Sequence, residues 1–68
     1  MTLAYIIRAE MAKYRPDAPI TVQDLKATSR VLDATPSTTL AMALAEVAEH
    51  HPDYPADAHE RHYWRLKA

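Results

Sequence analysis

The chain contains no glycine and no asparagine. These two residues adopt positive φ at least cost, so their absence removes most tight turns from what the chain can build. Two-residue hairpins, glycine helix caps and glycine phosphate cradles are not expected. The dinucleotide fingerprint, the Walker loop, the G-x-S-x-G elbow and the usual EF-hand loop disappear with them. Helices joined by proline-containing connectors are what remain, and five prolines punctuate the 68 residues. A chain of this length is one domain, 1–68, that buries only roughly 60 % of its unfolded surface. It has no cysteine and no phenylalanine, and Trp64 is its single tryptophan. Packing carries the whole fold.

Apolar spacing predicts three helices. Leu3, Ile6, Ile7, Met11 and Tyr14 recur at helical intervals, giving a first helix over 3–15 that Pro16 ends. Thr21 is an N-cap with Asp24 three residues on, a variant of the capping box, and Ile20 and Leu25 occupy the staple positions. A second helix is expected over 21–32, weakened at Thr28-Ser29. Thr35 before Pro36 opens a third helix over 36–50, with Leu40, Ala43, Leu44, Val47 and Ala48 as its buried stripe and Pro52 as its stop. In the tail, His62, Trp64 and Leu66 alternate with Tyr63, Arg65 and Lys67, the pattern of a half-buried strand. A terminal hairpin over 53–67, with Tyr54 on the partner strand, gives an α+β domain. The alternative makes 56–67 a fourth helix and the domain all-α. No internal repeat or low-complexity linker is visible.

Helix, short extended Pro19-Ile20, capped helix, long helix and terminal strand pair together resemble a minimal winged helix-turn-helix domain. The residues that carry the resemblance are Ile20-Thr21-Val22-x-x-Leu25, Thr35-Pro36-Ser37-Thr38-Thr39-Leu40 and His62-Tyr63-Trp64-Arg65-Leu66. The resemblance implies DNA binding, with Ser37, Thr38, Thr39 and Met42 towards the bases and Arg61, Arg65 and Lys67 towards phosphates.

The charge pattern opposes that implication. Residues 1–30 carry Arg8, Lys13, Arg15, Lys26 and Arg30 against Glu10, Asp17 and Asp24. Residues 31–60 carry no Lys or Arg but six acids: Asp33, Glu46, Glu49, Asp53, Asp57 and Glu60. Arg61, Arg65 and Lys67 then restore positive charge at the end. Phosphate neutralisation by Lys and Arg dominates DNA affinity, and the third helix has neither. It also lacks the Asn and Gln that read adenine. An acidic helix instead complements a basic protein surface. In size and charge the chain is similar to small phage-encoded inhibitors of host nucleic-acid machinery, anti-CRISPR proteins among them. The expected function is therefore a non-enzymatic protein-binding module, with Glu46 and Glu49 steering and Met42 and Tyr63 packing against a basic partner. A DNA-binding winged-helix regulator is the alternative. Self-association through the first helix, using Leu3, Ile7 and Met11, is a third use.

Four histidines crowd the last third. His59-x-x-His62 with His50 or His51, assisted by Asp53 or Asp57, is a weak candidate metal set, because strand geometry sends residues three apart to opposite faces. Tyr54, Tyr63 and Trp64 are contact-prone types, though a core this thin needs Trp64. The only serines are Ser29 and Ser37, no nucleophile–base spacing stands out, and a pair such as Asp57 with His59 is common by chance, so no catalysis and no cofactor are expected. The N-terminal run has no basic region and no stretch is long enough to span a membrane, so a cytoplasmic protein is expected.

Overall fold

Thr2 starts the first helix by accepting a hydrogen bond from the Tyr5 amide, and α1 runs Leu3–Met11. The computed structural model describes residues 1–67. Helix α1 ends four residues before the expected boundary at 15. Lys13 and Tyr14 donate to Glu10 and Met11, tightening the exit before Pro16. Thr21 and Asp24 form the anticipated reciprocal capping box at the head of α2, Val22–Thr28.

The expected helix over 21–32 is broken. Ser29 is extended (φ −137°, ψ 120°), and its hydroxyl caps α3, Arg30–Asp33, through the Leu32 amide. Thr28 weakens the junction from the other side, its hydroxyl donating to the carbonyls of Asp24 and Leu25. Leu25 of α2 and Leu32 of α3 are both buried in the core.

Helix α4 spans Ser37–Val47, with Pro36 rather than Thr35 at its N-cap position. The Thr35 hydroxyl instead donates to the Val31 carbonyl at 2.6 Å. The helix stops three residues short of the expected boundary at 50, and Pro52 is not what ends it. Ala48 turns extended and begins β1, Ala48–His50, which pairs antiparallel with β2, Trp64–Leu66. The partner strand is therefore residues 48–50, not a segment around Tyr54. Backbone pairing with β2 outweighs the helical propensity of Ala48 and Glu49.

The result is a mixed domain of four helices and a two-stranded antiparallel sheet. Residues 64–66 take the strand form rather than a fourth long helix. Ile20 extends the sheet on the other side of β2, exchanging two backbone hydrogen bonds with Trp64 at 2.7 and 3.0 Å. Helix α1 packs on α4, and one core joins Ile7, Met11, Ile20, Leu25, Leu32, Leu40, Leu44, Val47 and Ala48. Trp64 is not fully inside this core. It lies half-buried at the margin, with one ring 4.2 Å from the His50 ring. Burial of Ile7 and Met11 in the same core removes them as a dimer surface. No helix is long and apolar enough to cross a membrane among the described residues.

Candidate functional site

Burial of Leu40, Leu44 and Val47 on one side of α4 leaves Thr38, Ala41, Met42, Ala45 and Glu46 exposed on the other. Met42 is 70 % exposed, the highest value for a large apolar side chain after Met1. An ordinary solvent-facing helix carries several charges. Across the eleven residues of α4 only Glu46 is ionisable. Ser37, Thr38 and Thr39 are exposed at the head of the helix.

Glu49 does not belong to this face. It lies on β1, opposite Arg65, and its carboxylate accepts from Arg65 Nε at 3.3 Å. The same guanidinium reaches Asp17 at 3.1 Å. Arg65 is thus held by two carboxylates and is not presented to a phosphate. Arg61 is likewise engaged, 3.4 Å from Asp57. Of the three tail cations, Lys67 alone makes no ion pair among the described residues. Four acids of residues 31–60, Asp33, Glu46, Asp53 and Glu60, also make none among those residues and are exposed.

Asp57 organises the loop between the strands. Its Oδ1 accepts from the amides of His59 and Arg61, and Tyr63 donates its hydroxyl to Oδ2. Tyr63 is therefore half-buried and engaged rather than an open contact residue. These donors, the Arg61 amide above all, hold the Asp57 carboxyl below its ordinary value of 3.8, while partial desolvation works against them. The ionised form stabilises the loop at and above pH 3.8, and that contribution is lost as pH falls through the lower folded value. The amide resonances of His59 and Arg61 should accordingly shift together on acidification, with a midpoint below 3.8. Asp57→Asn should flatten the transition, whereas an unchanged titration in that variant would assign it to another group.

The histidines do not assemble as ligands. The His50 ring packs against Trp64 and His62, with centroids 4.2 and 5.3 Å away and planes tilted by 30° and 56°. His59 and His62 line an open groove of about 600 Å3 with Val22, Ala41, Glu60 and Trp64. No group of three His, Asp or Glu side chains is placed to hold a metal among the described residues. His51, a weak ligand candidate in the sequence, is buried. Its Nε2 lies 2.6 Å from the Asp17 carbonyl oxygen, and its Nδ1 accepts from the Asp53 amide. That pattern is met by the tautomer with its proton on Nε2. Nothing local in the sequence distinguishes His51 from His50. The role of Asp57 has a faint signal, an Asp in the middle of a long loop that has no Gly or Asn.

No family model, no curated protein and no solved structure matches this chain.

Proposed function

We propose that this domain is a non-enzymatic binding module that docks a protein partner through the exposed face of α4. The observation that carries this reading is Met42, solvent-exposed in the middle of a helix face whose only ionisable group is Glu46. Methionine in such a position packs adaptably against an apolar partner surface. Ala41 and Ala45 beside it allow close approach of another backbone. The partner surface is basic, to complement Glu46, which lies on the face and makes no ion pair among the described residues. A protein that handles nucleic acid offers such a surface, and a small domain seated on it would act as an inhibitor.

Met42→Glu should reduce capture of the partner from lysate about tenfold, the loss typical of an interface anchor. Glu46→Lys should reduce it through the association rate and make it less sensitive to salt. Arg30→Glu, on another helix, should leave capture unchanged. Equal capture by wild type and Met42→Glu would remove this reading.

A second reading, a DNA-binding winged-helix regulator, draws support from the element order. Extended Ile20 flanks β2 ahead of the capped α2, and β1 and β2 follow the exposed Ser37–Thr39 turn of α4. Its electrostatics are poor, since α4 has no Lys or Arg and Arg61 and Arg65 are both held by carboxylates. Anisotropy of a labelled duplex separates the two. Micromolar binding that weakens steeply with salt supports the regulator, and no binding at low salt excludes it.

A further inference from the structure

We propose that the groove beside Trp64 receives an arginine side chain of the partner protein, its guanidinium stacked on the indole and paired with Glu60. The inference rests on the reading of α4 as a docking face, and it names the residue type by which a basic partner is anchored. Ala41 joins the two regions, being exposed beside Met42 on α4 and also part of the groove wall. A protein seated on Met42 has the groove at its edge.

The groove supplies a flat apolar platform. Its volume is about 600 Å3, with Val22 and Ala41 on its walls and half-buried Trp64 as its aromatic surface. Two backbone hydrogen bonds to Ile20 and the pairing of β2 with β1 fix the Trp64 backbone. His50, which does not line the groove, packs on the indole with ring centroids 4.2 Å apart. The platform is in place before a ligand arrives, so little ordering entropy is lost on binding.

Charge selects the ligand. The groove has one arginine, Arg61, and Asp57 already pairs with it at 3.4 Å. It has one carboxylate, Glu60, which is exposed and makes no ion pair among the described residues. Asp57 braces the loop that presents Glu60, its side chain accepting the His59 and Arg61 amides and its carbonyl accepting the Glu60 amide. A spare carboxylate beside an indole suits a cation with a flat, weakly hydrated face. Guanidinium meets both demands, stacking on the ring and bonding the carboxylate, whereas the compact ammonium of lysine holds its water more tightly.

Trp64 is the single tryptophan, so its fluorescence reads the groove directly. Titration with a capped tri-arginine peptide should change the emission saturably, and capped tri-lysine should bind about two- to fivefold more weakly. Glu60→Gln, which keeps the backbone bond to Asp57, should weaken tri-arginine binding by about the same factor. Asp33→Asn removes an equal charge from an exposed site outside the groove and should change nothing. No saturable change in emission, equal affinity for the two peptides, or equal losses in Glu60→Gln and Asp33→Asn would overturn the proposal. Silent emission on a chain whose partner capture still falls with Met42→Glu refutes the arginine site and leaves the docking reading intact. A Glu60-dependent tri-arginine site on a chain whose capture ignores Met42→Glu does the reverse.

Discussion

Leu44→Ala should leave the domain largely unfolded at 37 °C. Leu44 is completely buried on α4, in the core that also holds Ile7 of α1 and Leu25 of α2. Truncating a buried leucine costs about 2–5 kcal/mol, from lost transfer energy and from the cavity left behind. A domain below roughly 70–80 residues draws only about 3–5 kcal/mol from its core. With no disulfide to offset the loss, one such truncation consumes most of the stability. Urea denaturation followed by circular dichroism measures it directly. A variant that keeps its midpoint within a tenth of the wild-type value would show that stability resides elsewhere. Val31→Ala is the natural control, because Val31 is 54 % exposed and its truncation should change little.

His51→Ala should be the most damaging substitution of a polar residue. The ring joins the connector after α1 to the turn after β1, bonding the Asp17 carbonyl and the Asp53 amide. Its removal strands both groups and opens a void beside Tyr54, whose ring stands edge-on at 4.7 Å. Loss of two partly buried hydrogen bonds and the packed ring sums to about 2–4 kcal/mol. The same substitution at His59, whose side chain is exposed, should cost less than about 0.5 kcal/mol. Equal effects at the two positions would show that the His51 bonds contribute nothing net.

What the sequence announces and what it conceals divide along local and non-local lines. The cap at Thr21, the weakness at Thr28-Ser29 and the buried spacing of Leu40, Leu44 and Val47 are all readable, because each depends on neighbours within a turn. Met42 is visible off the buried stripe for the same reason. The position of β1 is not readable. Ala-Glu-His has no strand character of its own and is extended only because β2 pairs with it. That one displacement moves Glu49 from a helix face to a strand, where Arg65 meets it. Arg65 looks available in a linear reading, and only the fold brings Asp17 and Glu49 to it. His51 is concealed likewise, since its main partner is 34 positions away.

The two residues at positive φ, Asp17 (62°) and Glu60 (60°), show how a glycine-free chain still makes its sharp turns. Each sits beside a polar anchor: Asp17 is bonded by His51 and Arg65, and Glu60 donates its amide to the Asp57 carbonyl. Bonds formed on folding, from side chains at Asp17 and from the backbone at Glu60, hold backbone shapes that the unfolded chain rarely visits.

The bridge between Ile20 and Trp64 sets an order of events in folding. Helical turns close over neighbouring residues, whereas the last strand must find Ile20 through Trp64 and Asp17 through Arg65, the latter across a separation of 48 positions. Closure of loops that long carries an entropic cost before any contact compensates it. This topology predicts that docking of β2 completes the domain late in folding, an expectation that stopped-flow fluorescence of Trp64 checks. Until it docks, the apolar floor under Trp64 and Leu66 stays open to water, and the single tryptophan reports the moment at which it is covered.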